Sequence, residues 1–146
     1  MISRLIDEDL FESANPPRLT GARCSGCATV VFPRQDSCPK CPDGAMSAHA
    51  LPVSGRVWSW TLQAFQPKPP YRPPTGGYRP YHVGYVDLGE VLVEARLEIP
   101  RAEIRIGLPV RLTTVTAYHD EEGTEVLTFA FRPDGDPDGP DGNGER

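Results

Sequence analysis

Residues 24–41 read "CSGCATVVFPRQDSCPKC", and the spacing of their cysteines sets the architecture that the rest of the chain has to accommodate. Cys24 and Cys27 form one C-x-x-C, Cys38 and Cys41 a second, with ten residues between them. Zinc takes four tetrahedral ligands, and thiolate sulfur binds it at about 2.3 Å. Each C-x-x-C turn brings two sulfurs toward one point, and a short hairpin joining two such knuckles makes a rubredoxin-like, four-cysteine zinc ribbon. Thr29 to Phe32 supply the outgoing strand, and Pro33 and Pro39 help fix the turns. Structural disulfides are rare in cytosolic chains, and redox pairs seldom come doubled at this spacing. A structural metal is therefore expected, Zn2+ first, with iron the alternative that cysteine spacing leaves open. Four cysteines fill the coordination sphere, so no position remains for a catalytic water. The site reads as a staple for a segment with too few apolar residues to fold alone.

Downstream, the pattern turns to period two. In "GRVWSWTLQAF" (55–65), Trp58, Trp60 and Leu62 alternate with Ser59, Thr61 and Gln63, which predicts a strand with both tryptophans on one face. "YHVGYVDL" (81–88) follows, then Gly89 and Glu90 as a two-residue hairpin with glycine where positive φ is needed. "VLVEARLEI" (91–99) sets Val91, Val93, Ala95, Leu97 and Ile99 on one face and Leu92, Glu94, Arg96 and Glu98 on the other. Residues 100–109 are too short a connector for a long helix, and "VRLTTVTAYH" (110–119) and "TEVLTFAFR" (124–132) flank the turn "DEEG". Five strands with a non-hairpin connector between the third and fourth fit a Greek-key barrel of the OB type, a five-strand sandwich being the competing architecture. Upstream, Leu5, Ile6, Leu10 and Phe11 suggest one short amphipathic helix ending by Pro16. The expected fold is mainly β: an N-terminal helical segment (1–17), a zinc ribbon (18–50), an OB-fold barrel (51–133) and a disordered acidic tail (134–146).

The 146 residues carry a net charge of −5. The tail "DGDPDGPDGNGER" holds five acids against one arginine, net −4, which leaves −1 for residues 1–133. With no large apolar residue, that tail cannot offset its ordering entropy. Nor does the folded part have a basic excess to neutralise phosphates, which argues against a nucleic-acid binder. The N-terminus lacks the basic start and apolar run of a signal peptide, and no apolar stretch is long enough to span a bilayer. A cytoplasmic protein is the default expectation.

Between the first two barrel strands lies "QPKPPYRPPTGGYRP" (66–80). OB barrels commonly recognise ligands through this loop and the one between strands four and five. Lys68, Arg72 and Arg79 can meet phosphates and Tyr71 or Tyr78 can stack on a base, whereas a plain surface loop would use its tyrosines to cover the barrel mouth. Trp58 and Trp60 read as core or rim residues, and an exposed one would mark a partner interface. His49, His82 and His119 fall on separate segments with no nucleophile motif nearby, and no Gly-rich phosphate loop occurs, so no catalytic constellation emerges.

The ordered set resembles a known family. The four-cysteine ribbon has "FP" after its first knuckle and "CPKC" at its second. "SGRVWSWT", "RPYHVGYVDL" and "IRIGLPV" follow at the first, second and fourth barrel strands. This order is similar to the acyl-CoA-associated zinc-ribbon/OB-fold family once filed as domain of unknown function 35, over residues 4–132. The resemblance implies a non-catalytic partner of thiolase-superfamily enzymes: thiolases, steroid side-chain retro-aldolases of the sterol-carrier thiolase type, or acyltransferases. It further implies a shared acyl-CoA site near the partner's active-site entrance. The competing function is a ribbon-plus-OB binder of single-stranded nucleic acid.

Overall fold

The computed structural model describes residues 3–42 and 44–135. Ten strands run in chain order: β1 (Ser3–Leu5), β2 (Phe11–Ala14), β3 (Pro17–Cys24), β4 (Val30–Val31), β5 (Met46–Ala50), β6 (Ser54–Gln63), β7 (Tyr81–Asp87), β8 (Leu92–Leu97), β9 (Pro109–His119) and β10 (Glu125–Pro133). Strands β2 to β5 form the ribbon sheet, in which β3 pairs with β2, β4 and β5. Strands β6 to β10 form a closed barrel in the order β6-β7-β8-β10-β9, with β9 returning to β6. The parallel β8–β10 pairing and the antiparallel remainder are the Greek-key connectivity of an OB fold.

The cleanest alternation in the sequence gives the barrel its inner wall. Val93, Ala95, Leu97 and Ile99 are buried, and they pack with Val57, Val86, Val110, Leu112 and Phe131. Leu92 and Glu94 face out. The β7–β8 turn is closed by the Leu88 amide donating to the Val91 carbonyl at 3.0 Å, with Gly89 at φ +92°. That is the dihedral a two-residue turn of this kind demands of its first central residue. The same core continues into the ribbon through Phe11, Leu19 and Leu51, so ribbon and barrel share one apolar interior.

Two expectations are corrected. The N-terminal segment is not an amphipathic helix: Leu5 lies in β1, only a 3-10 turn spans Glu8–Leu10, and Phe11 opens β2. The reason is tertiary. Strand β8 pairs with β10 only at Ala130 and Phe131, which leaves the β10 edge open above them. Strand β1 fills that edge in parallel register, Ser3 to Glu125 through Leu5 to Leu127, and the Ile6 amide adds a bond to the Leu127 carbonyl at 2.7 Å. Unpaired strand edges are costly, and satisfying this one outweighs a weak local helix preference. The two tryptophans, in turn, do not share a face. A bulge between Val57 and Ser59 makes Trp58 an extra residue opposite β7, so Val57 is buried while Trp58 is exposed. The anticipated disordered tail falls largely on residues 136–146, which lie outside the described residues.

Asp120 ties the β9–β10 hairpin to β1. Its carboxylate accepts from the Thr124 amide at 2.9 Å and the Glu122 amide at 3.0 Å, and pairs with Arg4 at 3.5 Å. The Thr124 amide, with those other partners, holds its carboxyl below the usual carboxylate range. A depressed carboxyl contributes stability above its unfolded pKa of about 3.9, and that contribution fades as pH falls through the folded value. Asp120→Ala should therefore lower the thermal midpoint at pH 7, and the gap to the parent should narrow below about pH 4. Thermal melts across pH 3–7 measure this, and a gap independent of pH would contradict it.

Candidate functional site

Cys24 ends β3, where pairing with β5 fixes its backbone. The chain then turns sharply, with the Cys24 amide donating to the Thr29 carbonyl and the Ala28 amide to the Cys24 carbonyl, both at 2.9 Å. Ala28 takes φ +65°, the left-handed step that turns the chain after Cys27 so that the Thr29 carbonyl returns to the Cys24 amide. The second knuckle is set by backbone amides aimed at sulfur: those of Lys40 and Cys41 both donate to Cys38 Sγ at 3.3 Å, as the Gly26 amide does to Cys24 Sγ. The Ser25 amide bonds the Ala45 carbonyl at 2.9 Å, and the Ser25 hydroxyl accepts from the Ala45 amide at 3.2 Å, locking the knuckles together.

The sulfurs of Cys24, Cys27 and Cys38 lie within 4.8 Å of one another. Cys41 joins them. A Cβ at Gly26 would stand 2.9 Å from its sulfur and 3.7 Å from that of Cys24, and a Cβ at Gly44 would collide with the Cys24 sulfur and reach within 3.3 Å of that of Cys41. The Cys41 thiol therefore adjoins that of Cys24 across space that Gly26 and Gly44 leave open. The Thr29 hydroxyl, 3.1 Å from Cys27 Sγ, and the Thr29 backbone lower the Cys27 pKa to about 6, while burial pushes the Cys38 thiol up. A soft, amide-lined cluster of three sulfurs with a fourth thiol beside it suits a thiophilic divalent ion.

The proline loop is shaped. Tyr71, Tyr78 and Tyr81 form a mutual ring cluster, with Tyr71 stacked on Tyr81 at 6.3 Å and Tyr78 edge-on to both. The Tyr78 hydroxyl donates to the Gln63 carbonyl, stitching the loop to the end of β6. The guanidinium of Arg72 lies 4.3 Å from the centre of the Tyr118 ring and 3.7 Å from the Glu121 carboxylate, which ties this loop to the β9–β10 turn. Lys68 and Arg79 are exposed and carry no ion-pair partner among the described residues. Of the residues singled out in the sequence, Tyr71, Tyr78 and Arg72 are thus brought together against the barrel, while Lys68 and Arg79 stand outside.

The tryptophans separate. Trp60 packs against the core, edge-on to His82 at 5.9 Å and under the Arg101 guanidinium at 4.8 Å. Trp58 is 55% exposed and meets Tyr85 edge-on at 6.3 Å; Tyr85 is itself exposed. His49 pairs with Glu90 at 2.9 Å, and His119 is exposed at the end of β9. Asp87 accepts from the Gly89 amide at 2.8 Å, a turn-closing role.

Sequence reasoning missed one feature. A cleft of about 720 Å³ opens where β8 and β10 part, walled by the proline loop on one side and by Ile6 to Leu10 on the other. The sequence signal for it was weak, because the cleft depends on β1 occupying only part of the β10 edge.

Comparison with known proteins agrees with this geometry. A family model described as the rubredoxin-like zinc ribbon domain of ChsH2 matches residues 11–47, and one described as the C-terminal OB-fold domain of ChsH2 matches residues 48–115. The chain is 29% identical over 128 residues to benzoylsuccinyl-CoA thiolase subunit BbsA of Thauera aromatica, covering 85% of this chain and 84% of that one. It is 28% identical over 121 residues to a DUF35 domain-containing scaffold protein of Pyrococcus furiosus, covering 80% and 83% respectively. Among solved structures it matches a chain of the Ltp2-ChsH2(DUF35) aldolase with a TM-score of 0.61 and 29% identity, over 89% of this chain and 98% of that one. With ribbon and barrel both matched in one continuous order, the chain belongs to the ChsH2-type zinc-ribbon/OB-fold family, the DUF35 family.

Proposed function

We propose that this chain is a non-catalytic accessory subunit of a thiolase-superfamily enzyme, acting in the cytoplasm and helping to form or stabilise that enzyme's acyl-CoA site. The observation that carries the reading is its end-to-end similarity to a protein named as a thiolase subunit and to a chain of the Ltp2-ChsH2 aldolase. Surface chemistry supports it. Trp58 and Tyr85 expose aromatic area on the outer wall of β6 and β7, and tryptophan and tyrosine are enriched where proteins dock. The partner's thiolase-type centre supplies the reaction; this chain contributes a rigid wall and a positively charged loop edge.

Lys68 and Arg79 are the groups available to coenzyme A phosphates, being exposed and without an ion-pair partner among the described residues. Tyr71, Tyr78 and Arg72 hold the loop in position for them. Co-expression with a thiolase-type partner should yield a complex of fixed stoichiometry, and a chain that stays monomeric in that experiment would sink the proposal. Within the complex, Trp58→Ala should weaken association by roughly tenfold or more, the effect of removing an aromatic anchor worth about 2 kcal/mol. Deleting residues 67–78 should spare metal content and folding while lowering partner-dependent turnover; unchanged turnover would remove the loop from the site.

Zn2+ is the proposed occupant of the four-cysteine cluster, held by Cys24, Cys27, Cys38 and Cys41 as a structural ion. Elemental analysis of the purified chain should find one zinc per chain, and Cys38→Ser should lose it together with protection of the ribbon amides from hydrogen exchange. A red, iron-loaded protein as the sole form isolated from zinc- and iron-replete cells would reassign the metal.

A further inference from the structure

The cleft between β8 and β10 is not accounted for by metal binding or by docking through Trp58. Its apolar walls are Leu10, Val83, Ala95 and Phe129, and its volume of about 720 Å³ lies within the range of small-molecule sites, roughly 300–1,000 Å³. At the loop side it is bounded by Tyr71, Tyr81 and Arg96.

Arg96 gives the cleft its chemical character. It is half-buried, its guanidinium carbon lies 4.1 Å from the centre of the Tyr81 ring, and no carboxylate pairs with it among the described residues. Burial raises the Tyr71 pKa, and the Arg96 charge and a hydrogen bond from its side chain act against that rise. The other charged groups of the lining are disposed differently. Arg72 is already paired with Glu121. Asp7 is exposed and accepts from the Asp9 amide at 3.0 Å, and Glu94, two residues before Arg96 on the same face of β8, lines the cleft with its side chain exposed. Exposed carboxylates are screened by water and salt, whereas a half-buried guanidinium braced by an aromatic ring keeps its fork of donors oriented. Apolar walls ending at an oriented guanidinium that no carboxylate among the described residues pairs with match a molecule with an apolar body and a single carboxylate head.

We propose that this cleft binds an amphipathic monocarboxylate, its apolar body against Leu10, Val83, Ala95 and Phe129 and its carboxylate on Arg96. The site lies wholly within this chain, so it stands or falls separately from the thiolase-type partnership proposed above.

The test uses the full-length, metal-loaded chain alone, with 1-anilinonaphthalene-8-sulfonate as a fluorescent probe that also joins an apolar body to one anionic group. Saturable one-site enhancement is expected. Decanoate should displace the probe, with decanol at least tenfold weaker as a competitor. Arg96→Gln should reduce decanoate affinity by about tenfold or more, the size expected when hydrogen bonds to a charged group are lost, and should leave the thermal midpoint close to the parent's. Ile106→Ser, on the exposed β8–β9 connector, should change nothing. Equal competition by decanol and decanoate, or parental decanoate affinity in Arg96→Gln, would overturn the assignment of the head group. Should Arg96→Gln fail to fold, Ala117→Phe, which fills the cleft, serves instead; undiminished probe binding in that variant would overturn the site itself.

Discussion

The structure depends on how one strand, β10, satisfies its two edges. Along one side it pairs with β9 for its whole length. On the other, β8 reaches it only at Ala130 and Phe131, and β1 takes the stretch from Glu125 to Leu127. A barrel whose closing strand kept an open edge would expose unmet amides and carbonyls, a liability that natural sheets avoid. Splitting that edge between two partners closes the barrel, recruits the N-terminal segment as a strand, and leaves a gap between the partners. The gap is the cleft. One backbone requirement thus sets the topology, overrides the local preference of residues 3–14, and creates the cleft beside the proline loop.

Ribbon and barrel are joined closely enough that neither is an appendage of the other. Phe129 of the barrel meets Phe32 at 5.6 Å and Phe11 at 6.4 Å, both edge-to-face. The Leu51 amide donates to the Leu19 carbonyl at 2.9 Å, and Arg18 Nε donates to the Leu51 carbonyl at 3.0 Å. The cysteine cluster lies at the far end of β3, and Leu19, earlier in that strand, sits in the common core. A staple at the surface therefore shares a strand with a residue in the interior.

The legible parts of the sequence were those governed by local rules. The alternation of Val91 to Ile99 needs only the two-residue period of a strand, the turn at Gly89 only a positive φ, and the cysteine spacing only the geometry of a thiolate knuckle. The parts that escaped depend on distant chain. Leu5 and Phe11 carry apolar spacing compatible with either helix or strand, and the β10 edge decides between them. Trp58 and Trp60 are two residues apart, which places them on one face unless a bulge intervenes, and nothing in "VWSW" announces the bulge. The roles of Tyr71, Tyr78 and Arg72 follow from contacts with Tyr81, Gln63 and Glu121, which composition alone does not reveal.

The pairing of β1 with β10 also has a kinetic consequence. Its partners come from opposite ends of the described chain, so this contact has nearly the largest sequence separation available to it. Contacts of that kind form late, because the loop-closure entropy must be met before the pairing repays it. The ribbon, by contrast, is built from contacts within residues 11–50 and can order while the barrel is still incomplete. During synthesis, residues 3–5 have no strand to join until β10 has emerged. The barrel's final seam is therefore sealed by a segment made well before the strand it waits on.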